Sequence, residues 1–198
     1  MDTAAVVEPT REEREEHDKV HCPYAAWCDI CLAAKIRDAG HKTVVRSDNE
    51  LAIVEIDYAS PGTEIEDDIV QPILIAYENK HCMGFGRLCQ YKGRGDQEAI
   101  RAFCPWLMQT GYAGSVRLRC DSEPAIMAVA QDVARMRGAN ETILEITPVG
   151  SSSSLGGFER FSQTLVAQIR AYKLEVQKKW NVTLMVRSPV YGFMVDHA

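Results

Sequence analysis

Apolar positions along the chain fall into short blocks whose periods separate strands from helices. LAIVEIDYA at 51–59 is dense in apolar and β-branched residues and reads as a strand, with its acids embedded among apolar neighbours as in a central one. SPGTEIEDD follows with a Pro61-Gly62 turn signal, then IVQPILIAYE at 69–78 reads as a second strand, Pro72 suggesting an edge or a bulge. HCMGFGRLCQ at 81–90 reads as a third strand, hairpin-linked through Glu78 to Lys80, although its glycines weaken the pattern. From Asp96 to Thr110, Ile100, Phe103, Cys104 and Leu107 recur at helical spacing, with Pro105 as an interruption.

The second half alternates. SVRLRC at 115–120 is a short strand ending at Asp121. Ser122 to Met136 is helical, with Pro124 in the first turn, where a missing N–H costs nothing. TILEIT at 142–147 is a fifth strand. After a serine run at 151–154, which reads as a loop, a long helix covers about 155–179, and Phe158, Phe161, Leu165, Ile169, Tyr172 and Val176 make its buried stripe. The order β-β-β-α-β-α-β-α predicts an α/β fold with a mixed five-stranded sheet flanked by helices. Upstream, residues 1–16 read as a disordered or loosely helical lead-in. A dense His/Cys cluster occupies 17–35, a polar linker 36–50, and the α/β core 51–198.

Composition narrows the function classes. No apolar run approaches the roughly 20 residues that span a bilayer, and the N-terminus lacks the basic and apolar regions of a secretory signal, so no membrane partner is expected. The odd count of 7 cysteines argues for reduced thiols rather than a disulfide framework. A net charge of −6 is not the footprint of a general nucleic-acid binder. The acidity is concentrated in EEREE at 12–16 and EIEDD at 64–68, whereas Arg160 to Lys179 carries five cations (Arg160, Arg170, Lys173, Lys178 and Lys179) against Glu175 within it. A local basic face can coexist with a negative total.

Two constellations carry chemistry. Asp57 sits mid-strand, Asp121 at a strand-to-helix junction, and Glu159 one turn into the long helix, where Glu159, Gln163, Arg170 and Lys173 share a face opposite the apolar stripe. An acid in a central strand is costly unless compensated. Converging carboxylates are relieved by a hard divalent cation such as Mg²⁺ or Mn²⁺, which takes a few carboxylates plus water and phosphate oxygens. Taken singly, an Asp at a strand end is a cap and a Glu on a helix is solvated; the joint pattern makes the case. Separately, His17, His21, Cys28 and Cys31 read H-x3-H-x6-C-x2-C, two imidazoles one helical turn apart and a thiolate knuckle, the donor set of a tetrahedral Zn²⁺ site. Cys22 is an alternative ligand. Tyr24 and Trp27 read as packing residues, Cys82, Cys89, Cys104 and Cys120 as core thiols, His81 as a surface or satisfied histidine and His41 as part of the linker.

EIDYA, RCDSEPAI and TPVGSSSSLGGFERFSQ, with the upstream HCPYAAWCDIC, resemble the integrase catalytic core of long-terminal-repeat retrotransposon polyproteins, of the copia-like sort found in dinoflagellates and related protists. The resemblance covers 17–198, and thirty-seven residues lie between Asp121 and Glu159, close to the family's usual spacing. It implies a ribonuclease-H-like fold and an Asp57, Asp121, Glu159 triad holding Mg²⁺ or Mn²⁺ for 3′-end processing and strand transfer of DNA. It also implies a small N-terminal zinc module, with a His-to-Cys gap shorter than the family's. Where the family loop commonly carries Gln and Asn, this chain has Ser153 and Leu155. DNA contacts through Arg160, Gln163, Arg170 and Lys173, self-association into a homo-oligomer, and a nuclear location, otherwise a cytoplasmic one, complete the expectation. The competing readings are an inactive or domesticated remnant that binds nucleic acid or protein, and a host nuclease of the same fold acting on RNA–DNA hybrids.

Overall fold

The computed structural model describes residues 9–34, 51–60, 71–138, 142–147 and 156–198. The 36–50 linker, the EIEDD segment, the serine loop with Ser153 and Leu155, and His41 lie outside the described residues. The elements are α1 (Arg11–Val20), α2 (Asp29–Ala34), β1 (Ile53–Ala59), β2 (Ile73–Glu78), β3 (Met83–Leu88), α3 (Gln97–Gln109), β4 (Val116–Cys120), α4 (Pro124–Arg137), β5 (Thr142–Ile146), α5 (Gly156–Trp180) and α6 (Pro189–His197).

The five strands form one sheet in the order β3-β2-β1-β4-β5. β1 pairs antiparallel with β2 and parallel with β4, β2 pairs antiparallel with β3, and β4 parallel with β5. This is the expected α/β, ribonuclease-H-like arrangement, with β1 at the centre. Side chains alternate across the sheet. Val54, Ile56, Leu74, Ala76, Leu118 and Cys120 pack with α3 and α4 through Phe103, Leu107, Ile126 and Val129. Ile73 and Ile75 pack on the other face with α5 and α6 through Leu165, Ile169, Tyr191, Met194 and Val195. The helices therefore sandwich the sheet, and the two-residue period of the strands sends Glu55 and Asp57 to the α5 side.

Several expectations change. β2 is an interior strand rather than an edge. Pro72 lies just before it, opposite Cys89, whose N–H its carbonyl accepts at 2.8 Å; the proline forgoes the reciprocal bond of that pair, at the start of the strand where proline is tolerated. α3 runs through Pro105, which is exposed, where solvent can take the place of the lost helical bond. The glycines of β3 admit α5: a Cβ on Gly84 would collide with the Phe161 ring, and one on Gly86 would come within 2.9 Å of Leu165. Cys82 is exposed at a left-handed turn residue (φ 58°), not in the core, while Cys89 and Cys120 are buried.

Of the lead-in expected to be disordered or loosely helical, residues 1–8 lie outside the described residues, and from Arg11 the chain is helical. Thr10 and Glu13 form a reciprocal capping box that satisfies two of the orphan N–H groups. α6 was not visible as a pattern; Tyr191, Met194 and Val195 hold it against the sheet, with an Arg87–Asp196 ion pair at 2.7 Å beside them. Among the described residues no helix is long and apolar enough to cross a membrane.

Candidate metal centres

The strand register builds the first site. β1 and β4 run in step through Ile53↔Arg117, Val54↔Leu118 and Glu55↔Arg119, and continuing two residues sets Asp57 beside Asp121. Asp57 lies in the carboxyl half of β1 and Asp121 just past the carboxyl end of β4, the side on which open α/β sheets bind ligands. Glu123, the N-cap residue of α4, joins them, and one carboxylate oxygen from each of Asp57, Asp121 and Glu123 lies within 4.8 Å of the others. The Asp121 carboxylate accepts the Glu123 N–H at 2.9 Å, and the Asp57 carboxylate accepts the Tyr58 N–H at 2.7 Å.

Electrostatics follow from the crowding. Burial raises the Asp57 carboxyl above its ordinary range, and the neighbouring Asp121 and Glu123 charges raise it further, against the Tyr58 N–H and Lys92, which lower it. Lys92 pairs with Glu123 at 2.9 Å and lies 5.4 Å from the Tyr58 ring centre. The β3–α3 loop delivers it: Gly93 (φ 77°) donates its N–H to the Tyr58 hydroxyl at 2.8 Å, and Asp96 caps α3 while accepting the Gln90 N–H at 2.6 Å. The three carboxylates can hold a hard divalent ion, and the lysine marks where a negative group is tolerated.

Glu159 stands outside this trio. It is exposed, and its carboxylate accepts from Gln163 at 3.3 Å. The first turn of α5 lies over β2, where a Cβ on Gly157 would sit 3.1 Å from Tyr77, and Tyr77 pairs with Glu55, two residues before Asp57. Glu123 and Lys92 are not among the expected site residues. For Glu123 the signal was Asp-x-Glu at a strand-to-helix junction; Lys92 has no local signature, because only the fold brings its loop to Asp57. Of the expected nucleic-acid contacts, Arg160, Gln163 and Arg170 are exposed, whereas Lys173 is 8% exposed and thus buried.

Between β1 and β5 the same sheet face carries an ion network. Arg119 reaches Glu55 at 3.0 Å and Glu145 at 2.9 Å, and Arg117 reaches Glu145 at 3.5 Å. The network neutralises Glu55, the buried acid two residues before Asp57 on the same face of β1.

The second site is the His/Cys group. The α1 residue His17 and its C-cap His21 (φ 51°) are one helical turn apart, and Cys28 and Cys31 lie at the start of α2. All four are buried, with one donor atom of each within 4.8 Å of the rest. The His17 Nε2–Cys31 Sγ distance is 3.2 Å and the His21 Nδ1–Cys28 Sγ distance 3.6 Å. A tetrahedral zinc with bonds of about 2.3 Å to sulfur and about 2.0–2.1 Å to nitrogen has N–S edges of roughly 3.5 Å, so the donor set fits zinc. Burial lowers the His17 pKa, His21 assisting, and pushes the Cys31 thiol up to about 11. Exposed Cys22 is not part of the group.

The His/Cys segment packs on the core. Cys28, Cys31 and Ala34 form a cluster with Ala167 and Ala171 of α5, flanked by Tyr24, Trp27, Ile30 and Leu174. The small side chains at 167 and 171 allow this close approach. α5 is therefore covered on two sides, by the sheet and by α2. Trp27 contacts the His17 ring edge-on at 4.7 Å, and Arg14 lies over Trp27 at 5.5 Å. His81, as expected, is a satisfied surface histidine bonded to the Tyr112 hydroxyl at 2.7 Å.

No family model matches the chain, and no curated protein matches it. Among solved structures, it is similar to a chain of the simian T-cell lymphotropic virus intasome in complex with PP2A regulatory subunit B56 gamma. The identity is 9% and the TM-score 0.45, over 72% of this chain and 46% of that one. The chain thus spans about half the length of that relative, and a likeness this distant carries no argument about activity.

Proposed function

We propose that the chain is an integrase-like nucleic-acid protein whose site binds a divalent cation for phosphoryl transfer on DNA, the 3′-end processing and strand transfer expected of a retrotransposon integrase. What carries this reading is the strand register that brings Asp57, in the carboxyl half of β1, beside Asp121, just past β4, in the sheet order the EIDYA and RCDSEPAI resemblance implies. Asp57, Asp121 and Glu123 would hold Mg²⁺ or Mn²⁺, with Glu159 as a further candidate from the resemblance. The ion would supply charge neutralisation at the attacking and leaving oxygens of an in-line displacement. Around it, Lys92 offers a cation for a phosphate oxygen, and Arg160, Gln163 and Arg170 offer solvent-facing contacts along α5. In the same reading, 17–35 is a zinc module on a 51–198 catalytic core, and self-association and a nuclear location follow as proposals.

A second reading, a nucleic-acid or protein binding module without turnover, is favoured by one observation: Glu159 lies outside the carboxylate trio. One experiment separates the two. The intact chain is incubated with an end-labelled DNA duplex and Mg²⁺ or Mn²⁺. The enzyme reading expects nicking or strand transfer that disappears in Asp57→Asn and Asp121→Asn; binding without any cleavage, unchanged in those variants, supports the module instead.

A further inference from the structure

His21 is held from two directions. Its Nδ1 faces Cys28 Sγ at 3.6 Å, inside the donor group, and its Nε2 faces the Glu175 carboxylate at 3.3 Å. The ring is 1% exposed, so its two nitrogens have little recourse to water. Glu175 belongs to α5, 154 residues further along the chain. An ionised carboxylate only accepts hydrogen bonds. Its contact with Nε2 therefore places the ring proton there and leaves Nδ1 as a lone pair aimed at the cysteines, which is the tautomer a metal requires. His17 has the opposite arrangement, its Nε2 facing Cys31.

We propose that Glu175 is a positioning residue for the zinc site, fixing the tautomer and orientation of His21 from the core helix α5. This rests on the reading of His17, His21, Cys28 and Cys31 as a zinc site. It has a consequence for the architecture. The ligands come from α1, α2 and the turn between them, yet the group that orients one ligand comes from α5, alongside the Ala167 and Ala171 face that packs on Cys28 and Cys31. Metal affinity and docking of the N-terminal segment on α5 are then linked, each favouring the other by the same factor. The N-terminal segment alone would bind the metal less tightly than the intact chain does.

The test is a Co²⁺ titration of the metal-free intact chain, followed by displacement with Zn²⁺. The visible bands and thiolate charge transfer of Co²⁺ report a tetrahedral two-sulfur ligand set. Glu175→Ala is expected to weaken Zn²⁺ binding about 10–100-fold, the range for loss of a partner that orients a histidine ligand, with the Co²⁺ spectrum unchanged in shape because no ligand is lost. Glu175→Gln, which still accepts the Nε2 proton without the charge, should fall between. Lys178→Ala, on the same helix and lining the same cavity as His21 and Glu175, should leave the affinity as it was. Long-range proton–nitrogen spectra of the zinc-loaded protein should show His21 protonated at Nε2 and metal-bound at Nδ1. Glu175→Ala binding as tightly as the parent overturns the proposal, as does Lys178→Ala weakening binding equally, or metal on Nε2 of His21. A parent chain that takes up neither metal sinks the zinc reading itself, an outcome distinct from a parent that binds and a variant that binds as well.

Discussion

Asp57, within β1, and Asp121, just past the end of the parallel strand β4, present carboxylate oxygens within 4.8 Å of each other, with Glu123 the third member of the group. In metal-free protein this proximity is a repulsion. Because burial, and then the two neighbouring charges, raise the Asp57 pKa in the folded chain, the native state holds that proton more tightly than the unfolded chain does. The resulting stability is fully present below the unfolded value of about 3.9 and is lost as pH rises through the raised folded value. At neutral pH Asp57→Asn is therefore expected to raise the melting temperature of chelator-treated protein, with the gain vanishing at acidic pH. Mn²⁺ should reverse the order, stabilising the parent more than the variant. A melting temperature lowered by Asp57→Asn in chelator would contradict this account.

Glu123 and Glu159 give opposite expectations for the same measurement. Glu123 is within reach of both aspartates, whereas Glu159 is not part of that group. Glu123→Gln should weaken Mn²⁺ binding about tenfold or more, a loss of about 1.4 kcal/mol, while Glu159→Gln should change it little when no DNA is bound. Calorimetric titration of the two variants decides between them. A large loss on Glu159→Gln alone would mean that α5 moves its first turn toward Asp57 when the metal binds.

The close approach of β3 and α5 is also testable. Gly84 has no room for a Cβ because the Phe161 ring occupies that space, stacked on Tyr77 at 5.3 Å between centroids. Gly84→Ala should destabilise the chain by about 1–3 kcal/mol, as overpacking does. Combined with Phe161→Leu it should cost less than the sum of the two single changes, because the pair shares one contact. Urea denaturation of the four proteins gives the coupling. Strict additivity would show that the ring swings clear.

Much of this fold could be read from residue order. LAIVEIDYA reads as a central strand and SVRLRC as a short one, and the stripe from Phe158 to Val176 does face the sheet, Leu165 and Ile169 buried within it. What sequence could not supply was the effect of distant packing. Pro72 suggested an edge or a bulge and Pro105 an interruption, but Pro72 falls just before β2 and Pro105 on an exposed part of α3, so each forgoes one bond without ending its element. The glycines at 84 and 86 looked like weak strand residues, yet they are where a helix lies against the strand. For the candidate sites, the His17, His21, Cys28 and Cys31 pattern was legible because its ligands are close in sequence. Asp57 and Asp121 were legible as types, and their register brings them together. Lys92 and Glu175 were not, since each reaches its site only through tertiary structure, and Lys173 shares a helical face with exposed residues while being covered itself.

The covering of α5 by the His/Cys segment leads to a prediction about metal removal. Cys28, Cys31 and Ala34 pack on Ala167 and Ala171, so two of the four candidate zinc donors also make the interface. A ligand that binds only the folded, docked state stabilises it by mass action. Chelation, or Cys28→Ser, should therefore release α1 and α2 from α5 while leaving the sheet intact, whose core of Phe103, Leu107, Leu118 and Ile126 is on the opposite face. Hydrogen exchange read at single residues should show lost protection in Asp29–Ala34 and around Ala167 to Leu174, with β1 and β4 unchanged on the same timescale. Zinc restored to the chelated protein should recover the protection, and zinc added to Cys28→Ser should not. Uniform loss across the sheet would instead mean that the metal supports the whole fold, and no change anywhere would mean that Cys28 and Cys31 are packing residues alone.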